Sequence, residues 1–564
     1  FGNETIDIIK NQPEKLSNVK GISEEKAQKI SEDFLENQEM WKIVGFLEKF
    51  HIGAQHAKKV YEKFGVSSIE KIKEDPYLLI EIARGVDFRQ IDEMAIRIGI
   101  TPDNDRRVQT GIKYGLIRST YNGNSCVLEI NLIEYVQSLL DVSSETIEDN
   151  LIALKIKGEI VYDFRENEQW VYLARFFDTE KEIAYRLRKL EQSKNVKEIK
   201  NVESALKKIE KESDIELSEK QKEAIEEINN NNVLIITGGP GTGKTTIIKT
   251  IIELYENRGK KVILAAPTGR AAKKMTEATG KEASTLHRLL CIGKLDDEGI
   301  YQSHDEFQGE PIDADVVVID ELSMVDMFVM NYLLKCVYQG TKLVLVGDID
   351  QLPSVGPGSV LKDLIESETI KTVHLDKIFR QAAKSKIILN AHRVNKGETF
   401  LGKEDIETET NQDFFYIKHN TQEEILKEVI SLCTGRLEKF GNYDFFQNIQ
   451  ILTPTKKGLL GTKELNKELQ MYLNPNLDGR PEKSNSGAIY RTGDRIMQIK
   501  NNYDMTWDRE NDDGKMEYGE GVFNGEFGTI TGISERDKVV EVKFDDNKVA
   551  WYEFSELDQI EHSY

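Results

Sequence analysis

Residues Gly238 to Thr245 read Gly-Gly-Pro-Gly-Thr-Gly-Lys-Thr, the spacing G-x-x-x-x-G-K-[ST], directly after the apolar run Val233-Leu234-Ile235-Ile236 and before a helix-forming stretch. Strand, glycine-rich loop and helix in this order build a phosphate cradle. Glycines let backbone N–H groups crowd around phosphate oxygens, the helix N-terminus adds partial positive charge, and a lysine reaches the terminal phosphates. Lys244 takes that role, and the Thr245 hydroxyl is the expected Mg²⁺ ligand. Gly238, Gly239, Pro240, Gly241, Thr242, Gly243, Lys244, Thr245 and Thr246 therefore form the candidate loop for a nucleoside triphosphate.

A chain of 564 residues exceeds what one core can hold and calls for about three to five domains. No apolar run approaches the roughly 18 residues of a membrane span, which argues for a soluble protein. Cysteines at 126, 291, 336 and 433 are too widely spaced for a CxxC pair or a zinc ribbon, so unpaired thiols in a reducing cytoplasm are expected. A net charge of −22 argues against indiscriminate coating of nucleic acid, and any such site must be a local groove. The chain opens on Phe1 inside a repeated unit, from which a fragment at the N-terminus is expected.

That repeat pairs Phe1-Gly2, Ile6, Ile9, Pro13 and Leu16 with Phe64-Gly65, Ile69, Ile72, Pro76 and Leu79 at an offset of 63, and Gly21, Gly53 and Gly85 fall 32 residues apart. Residues 1–105 are read as helix-hairpin-helix repeats. The usual Gly-hydrophobic-Gly turn is incomplete at Val19-Lys20-Gly21 and His51-Ile52-Gly53, leaving DNA contact and a spacer role both open. Residues 106–195 suggest a winged-helix-like module, and 196–214, rich in Lys, Glu, Ser and Asn, a solvated helix or linker. From Leu217 short apolar strands alternate with amphipathic stretches, the pattern of a parallel sheet wrapped by helices. The expected units are a first lobe at 215–370, a second at 371–512 with a strand at Ile449 to Leu452, and a small antiparallel barrel at 513–564. The acidic stretch Asp508 to Glu520 is read as a solvated insertion.

Asp320-Glu321 closes the run Val316-Val317-Val318-Ile319, placing two carboxylates at the C-terminal end of a buried strand, where ligands of such sheets sit. Asp320 suits Mg²⁺, and Glu321 suits the orientation and deprotonation of an attacking water. Gln351, after the next apolar strand, is placed to sense a terminal phosphate. Arg380 in Phe379-Arg380-Gln381 offers a planar guanidinium for transition-state charge. Gln221 either reads an adenine edge with its amide or belongs to a helix cap.

Taken with Ala266-Pro267-Thr268-Gly269-Arg270-Ala271-Ala272, Ser284-Thr285-Leu286-His287-Arg288, Leu452-Thr453-Pro454-Thr455-Lys456, Gly493-Asp494-Arg495 and Phe523-Asn524-Gly525-Glu526-Phe527-Gly528, the chain resembles a superfamily 1 helicase of the RecD-like branch. The resemblance covers nearly the whole chain and favours the long, stand-alone type. It implies an α/β multidomain architecture: RecA-like P-loop lobes, preceded by an all-α helical-hairpin region and ending in an SH3-like β-barrel. It also implies ATP with Mg²⁺ as cofactors, movement 5′ to 3′ on single-stranded DNA, and unwinding of duplex junctions by a monomer in repair or recombination. Lys244, Asp320, Glu321, Gln351 and Arg380 would be catalytic, and Pro267, Thr268, Arg270, Thr285, His287 and Thr455 would touch DNA. The segment 293–311 stands where the family carries a strand-splitting pin, and otherwise reads as a surface loop.

Alternatives are the motor subunit of a multi-subunit exonuclease and, in another class, a DNA-binding scaffold switched by ATP. The family's return from the barrel into the second lobe, with a His-Lys-x-x-Gly motif, has no counterpart before Tyr564, so truncation at both ends and weak ATP hydrolysis are expected.

Overall fold

The computed structural model describes residues 8–9, 11–19, 22–36, 38–53, 55–82, 86–193, 199–292, 309–379, 384–400, 413–476, 479–485, 487–510 and 514–564. The chain divides into one compact unit of residues 1–181 and 355–358 and another of 182–354 and 359–564. No described helix is long and apolar enough to cross a membrane.

The first unit begins with short helices. Between helices Gln38–Glu48 and Gln55–Phe64 the chain turns at His51, whose φ is 60°, and buried Ile52 donates its N–H to Leu47 O at 3.1 Å. The same turn recurs between Phe88–Arg97 and Asp105–Thr120, where Gly99 has φ 106° and Ile100 donates to Ala95 O at 3.0 Å. His51 thus holds the left-handed backbone that glycine would take, and the hairpin survives the missing glycine at about 1–2 kcal/mol. Gly21 and Gly85 lie outside the described residues.

Helix Asp105–Thr120 is followed by β1 (Cys126–Leu128), helices Glu129–Leu140 and Ser144–Ile156, β2 (Ile160–Arg165) and β3 (Glu168–Leu173). The strands form an antiparallel sheet in the order β1-β3-β2. Leu116, Leu132, Val136, Leu151 and Val171 are buried in this region.

In the second unit six parallel strands make one sheet: β4 (Val233–Gly238), β5 (Val262–Ala266), β6 (Ala283–Thr285), β7 (Val316–Ile319), β8 (Lys342–Gly347) and β9 (Thr372–Leu375). Their order is β6-β5-β7-β8-β4-β9. β7 and β8 are buried along their whole length, as continuous β-branched and leucine runs require when helices cover both faces. Because β8 lies between β4 and β7, the loops after these three strands converge at one sheet edge.

Several sequence expectations shift. β9 pairs with β4, so the first lobe runs through Leu375, past the boundary at 370. The stretch read as a linker carries helix Val202–Glu212, whose Leu206 and Ile209 join the core of the parallel-sheet lobe with Ile199 and Leu217. Glu203, Lys207, Lys208, Lys211 and Glu212 are exposed, while Glu210 accepts the Leu217 N–H at 2.9 Å. Ile449 to Leu452 forms no strand: the run has no strand partner among the described residues, and Ile449 and Ile451 pack on a small cluster around Leu469 and Tyr564.

After helix Thr462–Leu473 come a hairpin, β10 (Glu482–Asn485) and β11 (Ala488–Arg491), and seven further strands. These are β12 (Arg495–Gln498), β13 (Asn502–Glu510), β14 (Met516–Val522), β15 (Phe527–Ser534), β16 (Val539–Phe544), β17 (Val549–Glu553) and β18 (Ile560–His562), antiparallel in the order β14-β13-β17-β16-β15-β12-β18. This SH3-like domain therefore starts well before 513. The described part of the acidic stretch is strand rather than insertion, since Asp508 pairs with Tyr518 in the β13–β14 ladder and Arg509 forms an ion pair with Glu517 across it at 2.6 Å.

Candidate nucleotide site

Gly243 ends the loop after β4 with φ 85° and caps helix Lys244–Glu256. A side chain there meets a positive φ and has no room: an added Cβ would press on the Gln221 amide and lie 2.9 Å from the Phe379 ring. Loop carbonyls are occupied by internal donors. Thr242 Oγ1 donates to Gly239 O at 2.8 Å, Gln221 Nε2 to Gly243 O at 3.3 Å, and Lys244 Nζ to Gly238 O and to Gly239 O, the latter at 3.3 Å.

Gln221 is fully buried, and both ends of its amide are engaged within the protein. Its Oε1 accepts from Ser218 N–H at 2.8 Å while Ser218 Oγ accepts from Gln221 N–H, a reciprocal capping box. Of the two sequence readings, the helix cap describes this geometry, and Gln221 ties the cap to the phosphate loop rather than facing the cavity.

That cavity, of about 740 Å³, is lined by Gly239 to Thr246, Lys274, Asp320, Glu321, Gln351 and Phe379 among others. β7 delivers the two carboxylates. Asp320 accepts the N–H of Glu321 at 2.9 Å. Burial raises its pKa against the pull of that hydrogen bond and of the Lys244 and Lys274 charges. Burial also raises Glu321, helped by the Asp320 charge and opposed by the same lysines. Glu321 has φ 53°, a left-handed conformation that costs a non-glycine residue about 1–3 kcal/mol and is characteristic of functional turns.

From β8, Asp348 is 2% exposed and orients the following loop. It accepts from Asp350 N–H at 3.1 Å and from the Gln351 side chain at 3.3 Å, while Ile349 N–H reaches back to Thr237 Oγ1 at 3.2 Å. Lys244, Asp320, Glu321 and Gln351 thus reach one cavity. Arg380 lies outside the described residues, as do 293–308 of the expected pin.

The residues expected to touch DNA are less uniform. Thr268 Oγ1 and Thr285 Oγ1 cap helices, accepting from Ala271 and Arg288 N–H at 3.2 Å each. Thr455 Oγ1 donates to Lys457 O at 2.7 Å. Arg270 is exposed, its guanidinium 5.8 Å from the centre of the Phe527 ring. Pro267 is half-buried. His287 is largely enclosed, and burial pushes its pKa below the ordinary imidazole value.

Sequence reading missed Lys274 and His392. Lys274 was legible in principle, because Ala271, Lys274, Met275 and Ala278 follow helical spacing along the cavity-lining face of Gly269–Thr279. His392, on helix Lys386–Asn395, lies with Nε2 3.0 Å from Pro240 O, a contact no local pattern announces.

Three family profiles match the chain: the AAA domain over residues 216–417, the ATP-dependent RecD2 DNA helicase HHH domain over 36–126, and the ATP-dependent RecD-like DNA helicase SH3 domain over 465–544. The chain is 28% identical over 561 residues to the ATP-dependent RecD2 DNA helicase of Deinococcus radiodurans, covering 97% of this chain and 72% of that relative. It is 30% identical over 302 residues to the RecBCD enzyme subunit RecD of Buchnera aphidicola subsp. Acyrthosiphon pisum, 43% of this chain and 49% of that one. Among solved structures, the Pif1 helicase from Bacteroides in complex with ADP-AlF3 and ssDNA aligns with 60% of this chain and 75% of its own, at 20% identity and a TM-score of 0.30.

Proposed function

The chain belongs to the RecD-like DNA helicases, and on that premise we propose that it is an ATP-driven motor that travels 5′ to 3′ along single-stranded DNA and opens duplex junctions. The convergence of Lys244, Asp320, Glu321 and Gln351 on one cavity at the sheet edge carries this reading. Lys244 exchanges the carbonyls of Gly238 and Gly239 for phosphate oxygens. Glu321 orients the attacking water and takes its proton, Gln351 senses the terminal phosphate from the β8 loop, and the Arg380 guanidinium balances charge in the transition state.

Mg²⁺ fits the donors present: a hard cation takes one or two carboxylates with hydroxyl, water and phosphate oxygens, and Asp320 and Thr245 offer a buried carboxylate and a helix-start hydroxyl. When bound, the ion neutralises charge on the phosphates. Pro267, Thr268, Arg270, Thr285, His287 and Thr455 lie in the segments that would follow the strand, through phosphates and sugars rather than bases. A monomer acting in cytoplasmic DNA repair or recombination completes the reading.

The test is ATP hydrolysis with and without single-stranded DNA, with Lys244→Ala as the blank, followed by unwinding of 5′-tailed and 3′-tailed duplexes. Stimulation by DNA and a preference for 5′ tails are expected. Hydrolysis indifferent to DNA, with ATP-dependent DNA binding retained, would favour the switched scaffold, and preference for 3′ tails would reverse the direction.

A further inference from the structure

Two successive carbonyls of the phosphate loop accept hydrogen bonds from chain beyond the last strand of the sheet. Phe379 N–H donates to Gly241 O at 3.2 Å, and His392 Nε2 lies 3.0 Å from Pro240 O. With Pro240 O as acceptor, the imidazole nitrogen is the donor. The contact is close-packed as well: a Cβ added to Gly239 would stand 2.6 Å from His392 Cε1 and 3.3 Å from both ring nitrogens.

These bonds bear on the phosphate site through peptide geometry. The described peptide bonds are all trans, so the carbonyl of Pro240 and the N–H of Gly241 belong to one plane and point in opposite directions. The same holds for Gly241 C=O and Thr242 N–H. A donor that pins either carbonyl therefore also fixes the direction of the N–H behind it, in a loop whose residues Gly239 to Thr246 line the cavity. The loop needs this, because glycines that permit the cradle also permit its peptide groups to flip.

We propose that His392 is a positioning residue of the nucleotide site: by donating to Pro240 O and packing on Gly239 it holds the phosphate loop with its N–H groups turned toward the phosphates of a nucleoside triphosphate. The inference rests on the nucleotide reading of that cavity. It places a determinant of triphosphate affinity on helix Lys386–Asn395, about 150 residues after the loop it acts on.

The test is titration of the full chain with a fluorescent ATP analogue and Mg²⁺, with thermal melting of each variant alongside. His392→Phe keeps a ring and loses the donor, and is expected to weaken binding about tenfold, the loss ordinarily caused by one hydrogen bond, with an unchanged melt. His392→Gln restores an N–H donor and is expected to return affinity to within about threefold of the parent. Gly239→Ala is expected to weaken binding, and Gly239→Ala with His392→Ala to bind better than Gly239→Ala alone, since trimming the ring removes the collision.

His392→Phe binding within twofold of the parent overturns the proposal, as does a Gly239→Ala defect that trimming His392 leaves unrelieved. The second comparison decides if His392→Phe does not fold. Failure of the parent to bind the analogue would instead sink the nucleotide reading, and this inference with it.

Discussion

At the scale of single residues, Glu321 carries backbone strain inside the candidate site, held at φ 53° at the end of β7. Replacing it with glycine removes the left-handed penalty, so Glu321→Gly is expected to raise stability by about 1 kcal/mol while abolishing hydrolysis. Denaturant melts and ATPase rates check the two halves separately. Glu321→Gln keeps the strain and the shape, and should bind ATP normally while turnover falls on the order of 10²–10³-fold. Near-normal turnover by Glu321→Gln would remove the residue from its assigned role. Of the site residues, those following an apolar strand were legible because strand and loop are written consecutively. His392 and the internal engagement of Gln221 were not, because each depends on a partner brought near by folding.

At the scale of elements, a buried carboxylate ties helix Thr462–Leu473 to the C-terminal sheet. Asp494 is fully buried and accepts from Gln470 Nε2 at 2.7 Å, Asn474 Nδ2 at 2.7 Å, Arg491 N–H at 2.8 Å and Tyr564 OH at 2.6 Å, with His562 Nε2 at 3.0 Å. Burial alone would raise its pKa, but the hydrogen bonds and the His562 charge hold it below the ordinary carboxylate value. With a lowered folded pKa, this stabilisation is fully present above the unfolded value of about 4 and is lost as pH falls through the folded one. Asp494→Ala is expected to cost about 3 kcal/mol at neutral pH by leaving buried donors unpaired. Faster amide exchange across β12 to β18 would register the loss, and the variant should lose less on acidification than the parent does. Equal acid sensitivity in both would show that Asp494 is not the group responsible. The helical hairpins offer a simpler case: His51→Gly should stabilise its turn by about 1 kcal/mol, and a destabilised hairpin would mean the imidazole matters more than the backbone.

At the scale of the whole molecule, a net charge of −22 limits how the chain can hold DNA. Among the six residues assigned to the strand only Arg270 carries a full charge, so few counterions should be released. The slope of log affinity for single-stranded DNA against log salt is expected to be shallow, about −1 to −3, since each neutralised phosphate contributes roughly −0.7. A slope near −6 would point to a basic surface elsewhere. On the proposed reading, coupling between hydrolysis and DNA would run through this sheet, because Pro267 to Arg270 follow β5 and Thr285 ends β6 in the sheet that also carries the nucleotide loop.

By itself the sequence determined the phosphate loop, the carboxylate pair, the parallel sheet and the helical front, since each is a local pattern: a spacing, an apolar run, or a period set by backbone geometry. Tertiary structure alone decided that β9 completes the first sheet, that helix Val202–Glu212 buries one face in the motor core, that Arg495 to Glu510 pair with the C-terminal strands, and that His392 reaches Pro240. These are pairings between segments far apart in the chain. Their free energy comes from surfaces and hydrogen-bonding groups that meet only after folding, so no window along the sequence contains both partners.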